Sequence, residues 1–182
     1  MLNRLKNQKG FTLVELLVVV IILAVLAAIV IPQLRSSSQD AKLSALDSDL
    51  STSRSAIELY YHQHNSVYPG VIKQHKGVAH TSTENAFVTQ LTYCSDISGN
   101  TSDACDAVTF KFGPYIKKSV PKNPLPNAVT TTDAQASGVN IDAATATLGT
   151  ATASDATAKG WYFVQQTGEF FANNTANGYS SR

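Results

Sequence analysis

Residues 9–34, KGFTLVELLVVVIILAVLAAIVIPQL, decide the fold of this chain. No polar side chain occurs from Leu16 to Ile31. With its flanks, the segment 11–34 is long enough to cross a bilayer as a helix, at about 1.5 Å per residue over roughly 30 Å of hydrocarbon. The residues before it are basic and include no acid: Arg4, Lys6 and Lys9. This asymmetry predicts a membrane helix whose N-terminus lies in the cytoplasm.

Glu15 is the one charge in this apolar segment, and it raises the question of what the segment does. A charge carried into a bilayer costs about 3 kcal/mol, and such residues are usually functional. A cleaved secretory signal peptide, cut near Ala27, is one interpretation, but the apolar run is long for it. A plain membrane anchor is a second interpretation, but an anchor gains nothing from Glu15. A third interpretation gives Glu15 a role in assembly.

The helix is predicted to continue beyond Pro32 with a different character. Apolar positions recur at spacings of three and four, which is one face of an amphipathic helix. No glycine or proline occurs from Gln33 to Val67, so we predict one helix from about Phe11 to about His64. Pro32 removes one helix hydrogen bond and invites a kink or a local break. The stripe consists of Leu43, Leu46, Leu50, Ser53, Ile57 and Tyr60.

The sequence predicts an α+β protein. In it, a long N-terminal helix, apolar over 11–34 and amphipathic over 35–65, packs on a small antiparallel sheet in a globular head, 66–182. TENAFVTQLTYC predicts a short helix, and GWYFVQQTGEFFANNT predicts a C-terminal β-hairpin with its turn at Thr167–Gly168. Residues 127–159 form a low-complexity Ala/Thr/Asp/Ser tract with few large apolar residues, so we expect a surface excursion or a mobile loop there. Five aromatic residues are expected in the head core: Tyr60, Tyr61, Tyr68, Trp161 and Phe171.

The two cysteines, Cys94 and Cys105, both follow the membrane segment and therefore lie outside the cytoplasm. That compartment permits disulfides, so we predict a bond that closes the loop CSDISGNTSDAC. Free thiols or a zinc site fit less well. The histidines show no metal-binding spacing, and solvated side chains are expected for them. The net charge of +1 indicates no nucleic-acid partner. No recognisable arrangement of catalytic residues occurs in the sequence, so we do not expect an enzyme.

KGFTLVE resembles the processing and assembly signature of the type IV pilin family, which includes the pseudopilins of type II secretion. The matching residues are Gly10, Phe11, Thr12 and Glu15, followed by the apolar run and Pro32. The resemblance implies that a prepilin peptidase removes residues 1–10 by cutting between Gly10 and Phe11, and that Phe11 is then N-methylated. It also implies that Glu15 pairs with the N-terminus of a neighbouring subunit, and that filaments lose helicity just before Pro32.

The implied function is that of a structural subunit of a type IV pilus-like filament, a homopolymer assembled through the N-terminal helix. The chain would first lie in the inner membrane with its head outside the cytoplasm. An inner-membrane assembly platform with a cytoplasmic ATPase motor would then extract it into an extracellular pilus or a periplasmic pseudopilus. Two alternatives remain open: a major-type pseudopilin of a type II secretion system, since GPYIKKSVPKNPLPN is similar to a segment of those proteins, and a membrane-anchored periplasmic binding domain.

No cofactor is expected, although calcium sites occur in major pseudopilins. The usual ligand spacing is not recognisable here, and NPLPN departs from the usual DPWGN of that group. The polarity of the disulfide loop is the simpler account of its oxygen-bearing side chains: Asp96, Asn100, Asp103 and Asp106.

Overall fold

A computed structural model describes residues 10–125, 138–148 and 159–173. The chain divides into two compact units, Met1–Ala41 and Lys42–Arg182. The described elements, in chain order, are α1 (Leu13–Gln63), β1 (Gln74–His75), β2 (Val78–Ala79), α2 (Thr83–Thr92), β3 (Cys94–Ser95), β4 (Thr101–Ser102), β5 (Val139–Asp142), β6 (Trp161–Val164) and β7 (Phe170–Ala172).

Helix α1 confirms the prediction of one long helix and contains Pro32 in its interior. The break expected at Pro32 is therefore absent from this single chain. Proline removes only its own N–H from the helix ladder, and the turns on either side keep theirs. The loss of helicity that the family resemblance implies concerns the filament, and it stays a prediction. The helix ends at Gln63, where Asn65 and Ser66 adopt positive φ angles of 53° and 58°.

In the second unit, the predicted apolar stripe of α1 forms one wall of the core. Leu46, Ile57 and Tyr60 are each at most 2% exposed. They pack with α2 and with the C-terminal strands, in a cluster that also holds Phe87, Leu91, Val139, Trp161, Phe163 and Phe170. Burial of these large side chains supplies the main driving force for folding of the unit, at about 25 cal/mol per Å² of apolar surface.

Helix α2 confirms the short helix predicted from TENAFVTQLTYC. Ser82 caps it, because its hydroxyl accepts a hydrogen bond from the Asn85 N–H at 3.1 Å. Its buried face includes Phe87 and Leu91, which join the core.

The strands form two small sheets, with orders β2-β1-β4-β3 and β5-β6-β7. The predicted C-terminal hairpin is confirmed, since β6 and β7 pair antiparallel with Tyr162 opposite Phe171. Gly168 in its turn has φ +78°, and a Cβ there would lie 2.2 Å from the Tyr68 ring. Only glycine fits that angle and that space.

The sheets also contain parallel pairs, which the expected antiparallel sheet did not include. β1 pairs parallel with β4, and β5 pairs parallel with β6. A parallel pair needs a long connection, and the stretch between β5 and β6 supplies one.

The expectation of a surface excursion over 127–159 is wrong for β5. Val139 is fully buried, and β5 pairs with β6 along its whole length. The short apolar alternation of Val139 and Ile141 lies within an otherwise polar tract, and β6 offers it an edge to pair with. The rest of that tract falls largely on 126–137 and 149–158, which lie outside the described residues.

Candidate functional site

The predicted processing site lies at the exposed start of the described chain. Gly10, Phe11 and Thr12 precede the first helical residue, Leu13. Phe11 is 89% exposed, and Gly10 is exposed too. A peptidase requires an accessible backbone that is not locked in a helix, and the Gly10–Phe11 bond meets that requirement. Residues 1–9 of the predicted leader lie outside the described residues.

Glu15 closes a capping box with Thr12 at the start of α1. Its Oε2 accepts hydrogen bonds from the Thr12 N–H and from the Thr12 hydroxyl, both at 2.9 Å. In return, the Glu15 N–H donates to the Thr12 hydroxyl oxygen at 3.2 Å. Two helix-end N–H groups are thereby satisfied by side chains.

This role of Thr12 was not predicted, although TLVE carries the T-x-x-E spacing that signals a capping box. All the hydrogen bonds of the Glu15 carboxylate go to Oε2. Among the described residues, no donor reaches Oε1, which leaves one carboxylate oxygen for a donor from outside the chain.

The apolar side chains of the first unit are exposed along the helix. From Phe11 to Leu34 the large hydrophobic residues are between 47% and 89% exposed. Water is a poor environment for so large an apolar surface, so a membrane or other helices must cover it. Among the described residues, α1 is the one helix long and apolar enough to cross a membrane, by length and composition alone.

The predicted disulfide is present, and its loop is held by the acidic side chains that the sequence singled out. Cys94 and Cys105 are bonded, with their Cα atoms 5.3 Å apart. The Asp96 carboxylate accepts hydrogen bonds from the N–H groups of Ser98 and Asn100 at 2.8 and 2.9 Å, and from the Asn100 side chain at 2.8 Å.

Asp103 ties the disulfide loop to the β1–β2 hairpin. Its carboxylate forms an ion pair with Lys76 and contacts His75 Nε2 at 3.1 Å. The hydrogen bond from Lys76 holds the pKa of the Asp103 carboxyl below its usual value, with the nearby charge of Lys76 and His75 adding to it.

Asp106 caps the turn that follows the disulfide loop, because its carboxylate accepts hydrogen bonds from the N–H groups of Val108, Thr109 and Phe110. These backbone hydrogen bonds lower the pKa of Asp106. Local hydrogen bonds and ion pairs thus occupy the loop carboxylates. Within 10–125, 138–148 and 159–173, no three side chains of His, Cys, Asp or Glu come together in a group that could hold a metal ion.

The expectation of solvated histidines is wrong for His64 and His80, which are 2% and 6% exposed. His64 lies in the turn directly after α1, and burial lowers its pKa. His80 contacts the Asn85 side chain at 3.0 Å. His62 is exposed and His64 is buried against Ser95 of β3, and their spacing in the sequence carried no information on which of the two would be covered.

The model of the family described as "Prokaryotic N-terminal methylation motif" matches residues 5–31 of this chain. The type II secretion system core protein G of Pseudomonas aeruginosa is 42% identical over 55 residues, 30% of this chain and 39% of that protein. The core protein G of Klebsiella pneumoniae is 40% identical over 65 residues, 36% of this chain and 46% of that protein. The type IV wide pilus major component PilA4 of Thermus thermophilus is 39% identical over 62 residues, 34% of this chain and 47% of that protein.

These findings confirm the resemblance first seen at residues 9–20. In its N-terminal motif and in the segment it shares with these relatives, the chain is similar to the type IV pilins and pseudopilins. It spans less than half the length of each of these three relatives. No solved structure matches the chain.

Proposed function

We propose that this protein is a structural subunit of a type IV pilus-like filament, processed between Gly10 and Phe11, N-methylated on Phe11 and polymerised through α1. The observation that carries the proposal is Glu15, a lone charge at the start of an exposed apolar helix that carries the N-terminal methylation motif. A structural role rather than a catalytic one agrees with the relatives, which are named as pilus and secretion-system components.

In the proposed assembly, Glu15 selects the stagger between neighbouring subunits. Cleavage creates an α-amino group at Phe11, one helical turn from Glu15, which is mostly cationic at neutral pH. Helices that pack in an apolar core cannot leave a carboxylate unpaired, because an isolated buried charge is costly. The N-terminal amine of a neighbouring subunit can reach the unused Oε1 while Thr12 keeps Oε2. Any other stagger leaves both charges without a partner.

The partners follow from this scheme. A prepilin peptidase would cut and methylate the chain, copies of the same chain would form the polymer, and an inner-membrane platform with a cytoplasmic ATPase motor would supply the work of extraction. The subunit would lie in the inner membrane before assembly, with the head outside the cytoplasm. After assembly it would lie in an extracellular pilus.

A second candidate is a major-type pseudopilin, whose polymer would stay in the periplasm. The similarity to the type II secretion core protein G of more than one bacterium favours it. The wide pilus component of Thermus thermophilus favours the pilus. Both candidates require the same processing and the same role of Glu15, and they differ in where the polymer is found.

Two substitutions separate the charge of Glu15 from its capping role. Glu15→Gln keeps a side chain suited to the capping box but removes the charge. Thr12→Val removes the cap and keeps the charge. We expect Glu15→Gln to insert in the membrane at the normal level and to lose most of the polymer, whereas Thr12→Val retains far more. The measurement is the amount of chain in a sheared filament fraction relative to the membrane fraction. Normal polymer yield for Glu15→Gln would refute the proposed pairing, whereas absence of the wild-type chain from the filament fraction would favour a membrane-anchored binding domain.

A further inference from the structure

A cleft of about 360 Å³ opens in the second unit, between the end of α1, the segment after it and the disulfide loop. Its size lies within the range of about 300–1,000 Å³ typical of small-molecule sites. Val67, Val71 and Ile97 supply apolar wall, and Tyr60 and Lys73 supply two polar groups. Val67 and Ile97 are 43% and 48% exposed, although both are large hydrophobic residues.

Two hydrogen-bond donors at this cleft have no partner in the described part of the chain. Tyr60 is only 2% exposed, yet its hydroxyl makes no hydrogen bond there. Lys73 is half-buried and makes no ion pair with any described residue. Both side chains lie beside Gly99: a Cβ on that residue would be 2.7 Å from the Tyr60 hydroxyl oxygen and 3.6 Å from Lys73 Cγ. The Tyr60 hydroxyl is not one of the buried polar atoms that lack a partner, so it meets the open space of the cleft, where it can donate a hydrogen bond.

Other polar groups of the cleft are already occupied and fix its walls. The Gln90 side chain accepts a hydrogen bond from the Gly70 N–H at 2.8 Å and donates to the carbonyls of Val71 and Gly99, both at 3.0 Å. These three hydrogen bonds hold the segment after α1 against the disulfide loop.

His64 fixes the orientation of Tyr60. Its Nδ1 faces the Tyr60 carbonyl at 2.8 Å and must donate to it, so Nε2 of the neutral ring accepts from the Ser95 hydroxyl at 3.0 Å. The His64 ring stacks on the Tyr60 ring with centroids 3.8 Å apart and 4° between the planes. Burial raises the pKa of Tyr60, which keeps its hydroxyl protonated and able to donate.

We propose that this cleft binds a small carboxylate that carries an apolar group. The two free groups, a phenol and an ammonium, can both donate, and a carboxylate offers two acceptor oxygens. The apolar walls favour a hydrocarbon body next to the charge, which a free inorganic anion lacks. All residues of this proposed site belong to the second unit, so ligand binding there does not depend on the proposed filament role.

The test is a titration of the full chain in detergent micelles, followed by NMR of isotope-labelled valine and isoleucine methyl groups. The probe is N-acetyl-L-leucine, and its uncharged amide is the matched control ligand. We expect saturable shifts at Val67, Val71 and Ile97 with the acid, and at least about tenfold weaker binding of the amide, as the loss of charge-assisted hydrogen bonds implies. The exposed methyl groups of Val108 report on non-specific effects and should not saturate.

Tyr60→Phe and Lys73→Gln should each weaken binding of the acid by roughly tenfold. Lys117→Gln, which removes an exposed lysine away from the cleft, should leave it unchanged. The methyl spectrum shows whether the Tyr60→Phe variant folds. If it does not fold, the affinity of the Lys73→Gln variant for the acid decides whether the proposal stands. The proposal is overturned by an absence of saturable shifts, by equal binding of acid and amide, or by unchanged affinity in the Lys73→Gln variant.

Discussion

Ser53 occupies a position of the apolar stripe of α1 with a polar side chain. It is 1% exposed, and within the described residues its hydroxyl has no hydrogen-bond partner. A buried hydroxyl that has lost its water costs about 1–3 kcal/mol. Its place in the stripe was visible in the sequence, but whether a partner would reach it depends on the strands packed opposite.

Ser53→Ala should therefore raise the free energy of unfolding by about 1 kcal/mol, since it removes the unpaired group at little loss of volume. Ser55→Ala is the matched control, because that exposed hydroxyl already donates to the Ser51 carbonyl at 2.8 Å. The measurement is urea denaturation of the full chain in micelles. A loss of stability in Ser53→Ala, with none in the control, would show that the hydroxyl has a partner.

Asp142 makes the stability of the second unit depend on pH. The hydrogen bond from the Thr145 hydroxyl, with those from the Ala144 and Thr145 N–H groups and the Tyr162 hydroxyl, lowers the pKa of Asp142 to about 2 from an ordinary 3.8. A lowered pKa means that the folded state favours the ionised form. Its contribution is complete above the ordinary pKa and is lost as the pH falls toward the folded value.

The unfolding free energy of the wild type minus that of Asp142→Asn should therefore shrink between about pH 4 and pH 2. Denaturation curves at pH 5, 4, 3 and 2 give the comparison. A difference that stays constant over this range would mean that the ionised carboxylate contributes nothing specific.

At the scale of elements, β5 shows how a short strand can lie inside a polar tract. Val139 is fully buried and pairs with Trp161, and the Val139 N–H donates to the Glu84 side chain at 2.9 Å. Glu84 also forms an ion pair with Lys159 at 2.5 Å, which joins the start of α2 to the residues before β6. The strand thus has both a buried face and a fixed end.

Val139→Ala should lower the free energy of unfolding by about 2 kcal/mol, because it removes two buried methyl groups and leaves a cavity. Val108→Ala makes the same chemical change at a residue that is 85% exposed, and it should have little effect. Thermal denaturation of both variants gives the comparison. Equal stability of the two would mean that β5 contributes little to the core.

The elements predicted correctly from the sequence are those with a strong local signal. Helix α1, helix α2 and the β6–β7 hairpin each carry a clear periodicity or a turn with glycine. Strand β5 and the parallel pairs depend on contacts between distant segments, which no local pattern records. The site divides in the same way: Glu15 stands out as a lone charge, whereas the cleft beside Tyr60 exists only because three separate segments meet there.

At the scale of the whole molecule, the two units differ in how much of their apolar surface is exposed. The first unit exposes an apolar helix, and the second covers its own apolar stripe with α2 and the strands. A protein of this composition needs a membrane or a polymer for its first unit and needs neither for its second. The proposed filament supplies that cover, and it predicts that the chain passes from one apolar environment to another without exposing residues 13–34 to water.

The most direct test of this account is a mass spectrum of the N-terminal peptide from sheared cells. Trypsin should release residues 11–35, since Arg35 is the first basic residue after the predicted cut. If the chain is a processed subunit of a surface filament, this peptide starts at Phe11, carries one added methyl group and is found in the extracellular high-speed pellet. The same methylated peptide in the membrane fraction alone would select the pseudopilin. A chain that starts at Met1, or one cut near Ala28, would contradict the proposed processing and, with it, the filament.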